Sequence, residues 1–133
     1  MKAKARSLIM ALCVLSLQVS VHAAPPLTAQ SEIEYLLASV ANSSCTFYRN
    51  GSWYDAKRAQ EHLRLKYNYL TARKAIDSAE DFIEKAASRS SFSGRAYMIR
   101  CPGTVDTPSS QWLRDRLAEY RESLLTGLRK EIL

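Results

Sequence analysis

The sequence has few of the residues on which catalytic and metal sites usually depend. Its 133 residues include three cysteines, two histidines and four glycines. One cysteine and one histidine lie in a predicted leader, which leaves too few ligands, at the wrong spacing, for a zinc motif. The chain also lacks a Gly-x-Ser-x-Gly elbow, an arginine-rich run and any nucleic-acid motif. We therefore predict no metal, no cofactor and no nucleic-acid partner.

The first 23 residues predict a secretory signal peptide. Three basic residues precede an apolar run over residues 8–21, and Val21-His22-Ala23 provides a small-residue cleavage site. The run is shorter than the ~20 residues of a membrane-spanning helix, and Ala24-Pro25-Pro26 interrupts it. Bulky Leu12 before Cys13 disfavours lipid attachment. We expect cleavage near Ala23, a periplasmic or secreted protein, and no stable membrane anchor afterwards.

Cleavage would leave 110 residues, which is enough for one domain with one modest core. We assign residues 24–30 to a flexible lead-in and residues 31–133 to a single globular domain. The formal charge falls from +6 to +3 because only basic residues leave with the leader. This mild basic excess is typical of an ordinary solvated surface, and the sequence does not define an oligomeric state.

Two cysteines, Cys45 and Cys101, remain in the mature chain. A pair of cysteines in an exported protein indicates a disulfide, since the compartment is oxidising. The bridge would close a loop of 56 residues and contribute about 4 kcal/mol in the chain-entropy model. We therefore predict that these two residues are bonded to each other.

Apolar periodicity and capping residues predict three or four helices. The first starts at a capping box formed by Ser31 and Glu34. The second runs from Ala56 to about Arg73, with Asp55 as its N-cap. The third begins after residues 77–78, unless it continues the second as one kinked helix. The last starts at Thr107-Pro108, and its inner face carries Leu113, Leu117, Tyr120, Leu124 and Leu128.

Two short segments have the pattern of strands. Residues 45–48 are rich in β-branched and aromatic side chains and run into Asn50-Gly51, a turn former, while residues 97–101 alternate in polarity. Trp53 and Tyr54 either form a short return strand or pack over the turn. Antiparallel pairing with the cysteines opposed places Phe47 opposite Ile99. The fold we predict is α+β, with the helices packed on a small two-stranded antiparallel sheet held by one disulfide.

A candidate binding surface combines cationic and aromatic side chains from the turn, the second helix and a serine-rich loop. Lys66 interrupts an apolar helical stripe, so that either its stem covers the core or it faces a ligand with His62, one turn away. Aromatic faces beside cationic donors suit sugars and envelope polymers that bear carboxylates or phosphates. The candidate binding residues are Arg49, Asn50, Trp53, Tyr54, His62, Lys66, Ser91, Ser93 and Arg95.

Two other functions fit the same residues. A small hydrolase would use His62 as its base and Ser91 or Ser93 as its nucleophile. A structural or assembly protein would use none of them chemically. Serines are common in loops because they form turns, and the acidic side chains lie mostly on helix faces or at caps.

Several motifs, in order along the chain, resemble a family of small exported proteins, largely from Gram-negative bacteria. They are R-N-G-x-W-Y from Arg49, A-x-x-H-L-x-x-K from Ala59 and S-S-x-S-G from Ser90. The resemblance spans about residues 32–121 and implies a periplasmic or secreted domain of unknown function, without a known activity or cofactor. The matching residues are Arg49, Asn50, Gly51, Tyr54, His62, Lys66, Ser91, Ser93 and Gly94.

Taken together, the sequence favours a non-enzymatic periplasmic module that binds a cell-envelope polymer or a periplasmic protein.

Overall fold

The computed structural model describes residues 27–133, and the predicted signal peptide lies outside them. Within this range the chain forms four helices and a four-stranded antiparallel sheet, which confirms the predicted α+β class. The elements are α1 (Leu27–Ala41), β1 (Thr46–Arg49), β2 (Ser52–Tyr54), α2 (Ala56–Ala72), α3 (Ala79–Ala86), β3 (Met98–Arg100), β4 (Thr107–Pro108) and α4 (Ser109–Ile132).

Helix α1 begins earlier than its sequence signals predict. It starts at Leu27, so that Ser31 lies inside the helix and the predicted capping box is wrong. Residues 27–30, part of the predicted flexible lead-in, are its first turn, and Ala29 is buried. Burial of Ala29 favours the longer helix over the local hydroxyl cap.

The hairpin of β1 and β2 forms as the Asn-Gly pair predicts. Asn50 and Gly51 have φ angles of 49° and 89°, the left-handed region that a tight two-residue hairpin loop needs. Trp53 pairs with Tyr48, so that the return strand, rather than packing over the turn, is the correct alternative.

Strand β3 pairs with β1 in the predicted register, with Phe47 opposite Ile99. Cys45 and Cys101 form the predicted disulfide beside this pair of strands. The prediction of a two-stranded sheet is wrong, because β2 and β4 extend it to the order β2-β1-β3-β4.

Thr107 and Pro108 belong to the fourth strand instead of starting the last helix. Thr107 pairs with Ile99, and the backbone N–H of Ser109 donates to the Tyr97 carbonyl at 2.9 Å. The Thr107 hydroxyl donates to the Val105 carbonyl and does not cap α4. Proline is tolerated here because β4 is an edge strand.

Helices α2 and α3 are separate, as their caps predict. The Asp55 carboxylate accepts from the Arg58 N–H at 2.8 Å, and the Ser78 hydroxyl accepts from the Asp81 N–H at 3.0 Å. Each bond satisfies a backbone donor that the first helical turn leaves without a partner.

The core lies between the helices and the inner face of the sheet, with α1 at its centre. The largest buried side chains come from α1, α3, α4, β3 and the segment between α2 and α3, namely Ile33, Leu36, Leu37, Val40, Ile76, Phe82, Ile83, Ile99 and Leu113. Phe47, opposite Ile99, closes the core from the sheet and contacts the edge of Trp112 on α4.

The last third of α4 extends beyond the core. Leu113 and Leu117 are buried as predicted, and Tyr120 stacks on Tyr35 of α1 with ring centroids 4.4 Å apart. Leu124 and Leu128, predicted on the same inner face, are 48% and 57% exposed because no element of the described chain reaches them. No helix in this part of the chain has both the length and the apolar character needed to cross a membrane.

Candidate functional site

A basic cluster lies where α2 crosses the inner face of the sheet; we use the name for Arg49, His62, Lys66 and Tyr97. Arg49 ends β1 on the face that carries Phe47, since alternate residues of a strand share a face. The short hairpin returns the chain directly into α2, so that His62 lies against Arg49, with 3.0 Å between Nη1 and Nδ1.

The contacts of His62 define which of its nitrogens carries the proton. A guanidinium only donates, so Nδ1 must accept from Arg49 and is unprotonated. The neutral ring then carries its proton on Nε2, which donates to the Tyr97 hydroxyl oxygen at 3.1 Å. Lys66 Nζ also donates to that oxygen, at 3.4 Å. The Tyr97 hydroxyl proton therefore remains available, and no acceptor for it is found among residues 27–133.

Lys66 contacts both the serine-rich loop and Tyr97. Nζ donates to the Arg89 carbonyl at 2.9 Å and lies 5.1 Å from the centre of the Tyr97 ring. The side chain is half-buried rather than extended into solvent, and it joins α2 to the serine-rich loop while facing the same cluster as His62.

The electrostatics of the cluster favour a neutral imidazole and a protonated phenol. Burial, followed by the charges of Arg49 and Lys66, lowers the pKa of His62 to about 4. Burial and the Arg49 charge also lower the pKa of Lys66. Burial raises the pKa of Tyr97, against a smaller opposite effect of Arg49. At neutral pH the cluster is therefore a set of hydrogen-bond donors with a positive charge.

A cavity of about 250 Å³ opens beside the cluster. Arg49, His62 and Tyr97 form part of its wall, together with the charged residues Arg58 and Glu61, and most of the rest is apolar, including Val40, Phe47, Leu63 and Leu113. Ser109, 5% exposed, also lines the cavity, and its buried hydroxyl has no hydrogen-bond partner within residues 27–133. Buried hydroxyls usually have a partner because an unmade hydrogen bond costs free energy.

The serine loop, residues 88–95, is fastened to the hairpin turn through Asn50. The Asn50 amide donates to the Ser90 hydroxyl at 3.0 Å and accepts from the Ser93 hydroxyl at 2.5 Å. These bonds account for Asn50 and Ser93 as residues that hold two loops together. Ser90, which the sequence analysis names in the S-S-x-S-G motif but not as a site residue, is buried and also accepts from the backbone N–H groups of Phe92 and Ser93.

The other predicted site residues lie at different distances from the cluster. Tyr54 lines the cavity, with the Arg49 guanidinium 4.8 Å from its ring centre. Trp53 lies on the outer face of the sheet, against Tyr48 and 4.0 Å from the Arg100 guanidinium. Ser91 and Arg95 are exposed on the serine loop, and none of their side-chain contacts in the described chain reaches His62.

A serine–histidine pair does not form in residues 27–133. Both ring nitrogens of His62 are engaged, one by Arg49 and the other by Tyr97. The Ser93 hydroxyl is directed to Asn50 instead. The arrangement lacks the bond between nucleophile and base that a hydrolase of this type requires.

Sequence reasoning missed Tyr97 and Ser109 as site residues. The signal for Tyr97 was the alternating pattern of residues 97–101, because pairing this strand with β1 places Tyr97 next to Arg49. Ser109 gives no local signal, since it enters the cavity only because β4 leads α4 across the sheet.

Comparison with known proteins gives two matches. The chain is similar to the "Uncharacterized protein YfeK" of Salmonella typhimurium, with 41% identity over 69 residues that cover 51% of this chain. The aligned segment spans 56% of the length of that relative. No solved structure is significantly similar. The model of a family described as "Family of unknown function (DUF5329)" matches residues 27–121, which include the whole basic cluster, and the chain therefore belongs to that family.

Proposed function

We propose that the protein is a non-enzymatic, exported module that binds an anionic component of the cell envelope at the basic cluster. One observation carries the proposal. Arg49 and Lys66 lie on either side of a neutral His62, and in the described chain neither makes a salt bridge to a carboxylate. Within residues 27–133 the other side-chain hydrogen bonds of the cluster go to neutral groups, so that its charge remains available for a ligand.

An anion at this position would satisfy several groups at once. It would accept the free proton of the Tyr97 hydroxyl and one or more N–H groups of Arg49, and hydrogen bonds that involve a charged partner are the strong ones. Partial burial strengthens each interaction, because less water screens it.

Two further observations support the exported setting. The leader of the sequence has the order of regions that a secretory signal requires. The Cys45–Cys101 disulfide is a bond that persists in oxidising compartments such as the periplasm.

The proposal is tested by titrating the purified, oxidised protein with murein fragments, lipopolysaccharide cores and acidic peptides, while every backbone amide is followed by NMR. Binding should shift the amides of residues 49–66 and 88–97. Arg49→Gln should weaken binding by about tenfold or more, since it removes a charged hydrogen-bond donor. Lys57→Gln, which removes an exposed charge from the same helix α2, is the matched control and should change affinity little.

The alternatives predict other outcomes. Turnover of an ester or amide that is lost in His62→Ala would establish the hydrolase and overturn the proposal. Unchanged binding in both His62→Ala and Arg49→Gln would show that the basic cluster is scaffold, as an assembly protein requires.

A further inference from the structure

Three members of the basic cluster also line the apolar cavity, whereas Lys66 does not. Arg49, His62 and Tyr97 line the cavity together with Phe47 and Leu113, so that a ligand held by Arg49 and Tyr97 also contacts apolar surface. A sugar or a free phosphate would leave that apolar surface exposed to water. The juxtaposition favours a ligand with an anionic head and a hydrocarbon tail.

We propose that this cavity binds a small carboxylate with an aliphatic or aromatic tail, its carboxylate at Arg49 and Tyr97 and its tail between Phe47 and Leu113. The inference rests on the proposed function and names the ligand class of the same site. A planar carboxylate matches the parallel N–H groups of a guanidinium and can accept the Tyr97 proton with its second oxygen.

The size of the cavity limits the tail. A dry cavity of about 150 Å³ accommodates benzene, so that one of about 250 Å³ takes roughly ten non-hydrogen atoms. Octanoate is a ligand of this size, and a long-chain fatty acid exceeds it.

A buried hydroxyl in the cavity wall also supports a ligand site. Ser109 lines it, and its buried hydroxyl has no partner in the described chain. An unpaired buried hydroxyl beside open space is the arrangement expected of a site that receives a ligand or its accompanying water.

The experiment is a titration of the full, oxidised chain with straight-chain carboxylates from acetate to dodecanoate, by calorimetry and by NMR of the Ser109 and Leu113 signals. Each added methylene should tighten binding about threefold to fourfold up to roughly octanoate, because each buries further apolar surface. Longer chains should gain nothing. Octylamine, which has the same tail and the opposite charge, should not bind.

Two variants separate the head from the tail. Ala59→Leu adds bulk to the cavity wall on α2 and should abolish the dependence on chain length while acetate binding persists. Arg49→Gln should weaken every carboxylate by about the same factor. Because Ala59 is buried, a thermal melt of each variant checks that it folds. The chain-length series on the wild-type protein tests the inference even if the Ala59→Leu variant does not fold.

Affinity that does not change with chain length, or octylamine that binds as well as octanoate, would overturn this inference. If carboxylates then fail while murein or lipopolysaccharide fragments still shift residues 49–66, the proposed function survives without it. If neither group of ligands binds, both proposals fail.

Discussion

His62 is a neutral base between two cations, and this has a consequence for stability. In the unfolded chain a histidine takes up a proton near pH 6.5, whereas the folded ring does so only near pH 4. Between these values the unfolded state binds more protons, and the free energy of unfolding therefore falls as the pH falls through this window. Above about pH 6.5 the contribution of the neutral ring is fully present.

We expect the protein to lose about 1 kcal/mol of stability through His62 between about pH 7.5 and pH 5. This loss is smaller than the full change in the His62 pKa would give, because solvent screens a partly exposed ring. Urea denaturation at the two pH values measures the loss, and His62→Gln should reduce it. An imidazole signal that titrates near pH 6.5 by NMR would contradict the arrangement.

Asn50 has two separable roles, one in its backbone and one in its side chain. Its positive φ suits the turn, and its amide joins the turn to Ser90 and Ser93. Asn50→Gly keeps the backbone conformation, since glycine adopts positive φ readily, and removes only the two hydrogen bonds.

We expect Asn50→Gly to cost about 1–2 kcal/mol and to raise hydrogen exchange in the serine loop by about tenfold. Ser91→Ala, a change in an exposed neighbour, is the control and should leave exchange unchanged. Equal exchange in the two variants would show that the bonds to Asn50 do not order the loop.

At the scale of elements, Arg121 ties three helices together. It makes two hydrogen bonds to Glu32 of α1, at 2.7 and 3.0 Å, and a third to Glu80 of α3, at 2.7 Å. Glu32 is only 7% exposed, so that Arg121 pairs with a buried carboxylate. The pKa of Glu80 is lowered by the same arginine.

Replacing Arg121 with Leu should destabilise the fold by about 2 kcal/mol, because it leaves a buried carboxylate without its partner. Arg129→Leu, an exposed change two turns further along α4, should cost under about 0.5 kcal/mol. Adding Glu32→Gln to Arg121→Leu should recover part of the loss, since a neutral amide is cheaper to bury. Denaturant midpoints of the wild type, the two single variants and the double variant measure these differences in stability.

The elements differ in how far their own sequence could predict them. Asn50-Gly51 specifies its turn locally, and the two cysteines place Phe47 opposite Ile99 because strand side chains alternate with period two. Thr107-Pro108 has the local signature of a helix start, yet it pairs with β3, a partner distant in sequence. The start of α1 was missed for a related reason, since burial of Ala29 depends on tertiary packing.

The site residues on α2 and the hairpin could be predicted from the sequence. The cavity behind them could not. Arg49, His62, Lys66 and Tyr54 belong to segments whose form is local, and the structure brings them together. The cavity behind them depends on where α1, α4 and the sheet meet, which no short stretch of sequence encodes. Trp53 lies on the outer face of the sheet because the hairpin register pairs it with Tyr48.

At the scale of the whole molecule, stability is unevenly distributed along α4. Its first nine residues supply buried Leu113 and Leu117, whereas every residue from Arg121 to Leu133 is exposed. Deleting residues 124–133 should therefore change the free energy of unfolding by less than about 1 kcal/mol and leave ligand binding intact. A large loss of cooperativity in a thermal melt would show that this part of the helix packs in solution.

The disulfide has a consequence for how the chain can be cut. Phe92 is 98% exposed on the serine loop, where a chymotrypsin-like protease can reach it. The peptide bond after Phe92 lies within the loop of chain that the Cys45–Cys101 disulfide closes. A nick after Phe92 should leave the two fragments covalently joined, so that they migrate as one band until a reductant separates them. Cleavage in the exposed end of α4 should release a peptide under either condition. The protein can thus be opened at its most accessible loop without losing either half, a topological protection suited to surroundings rich in proteases.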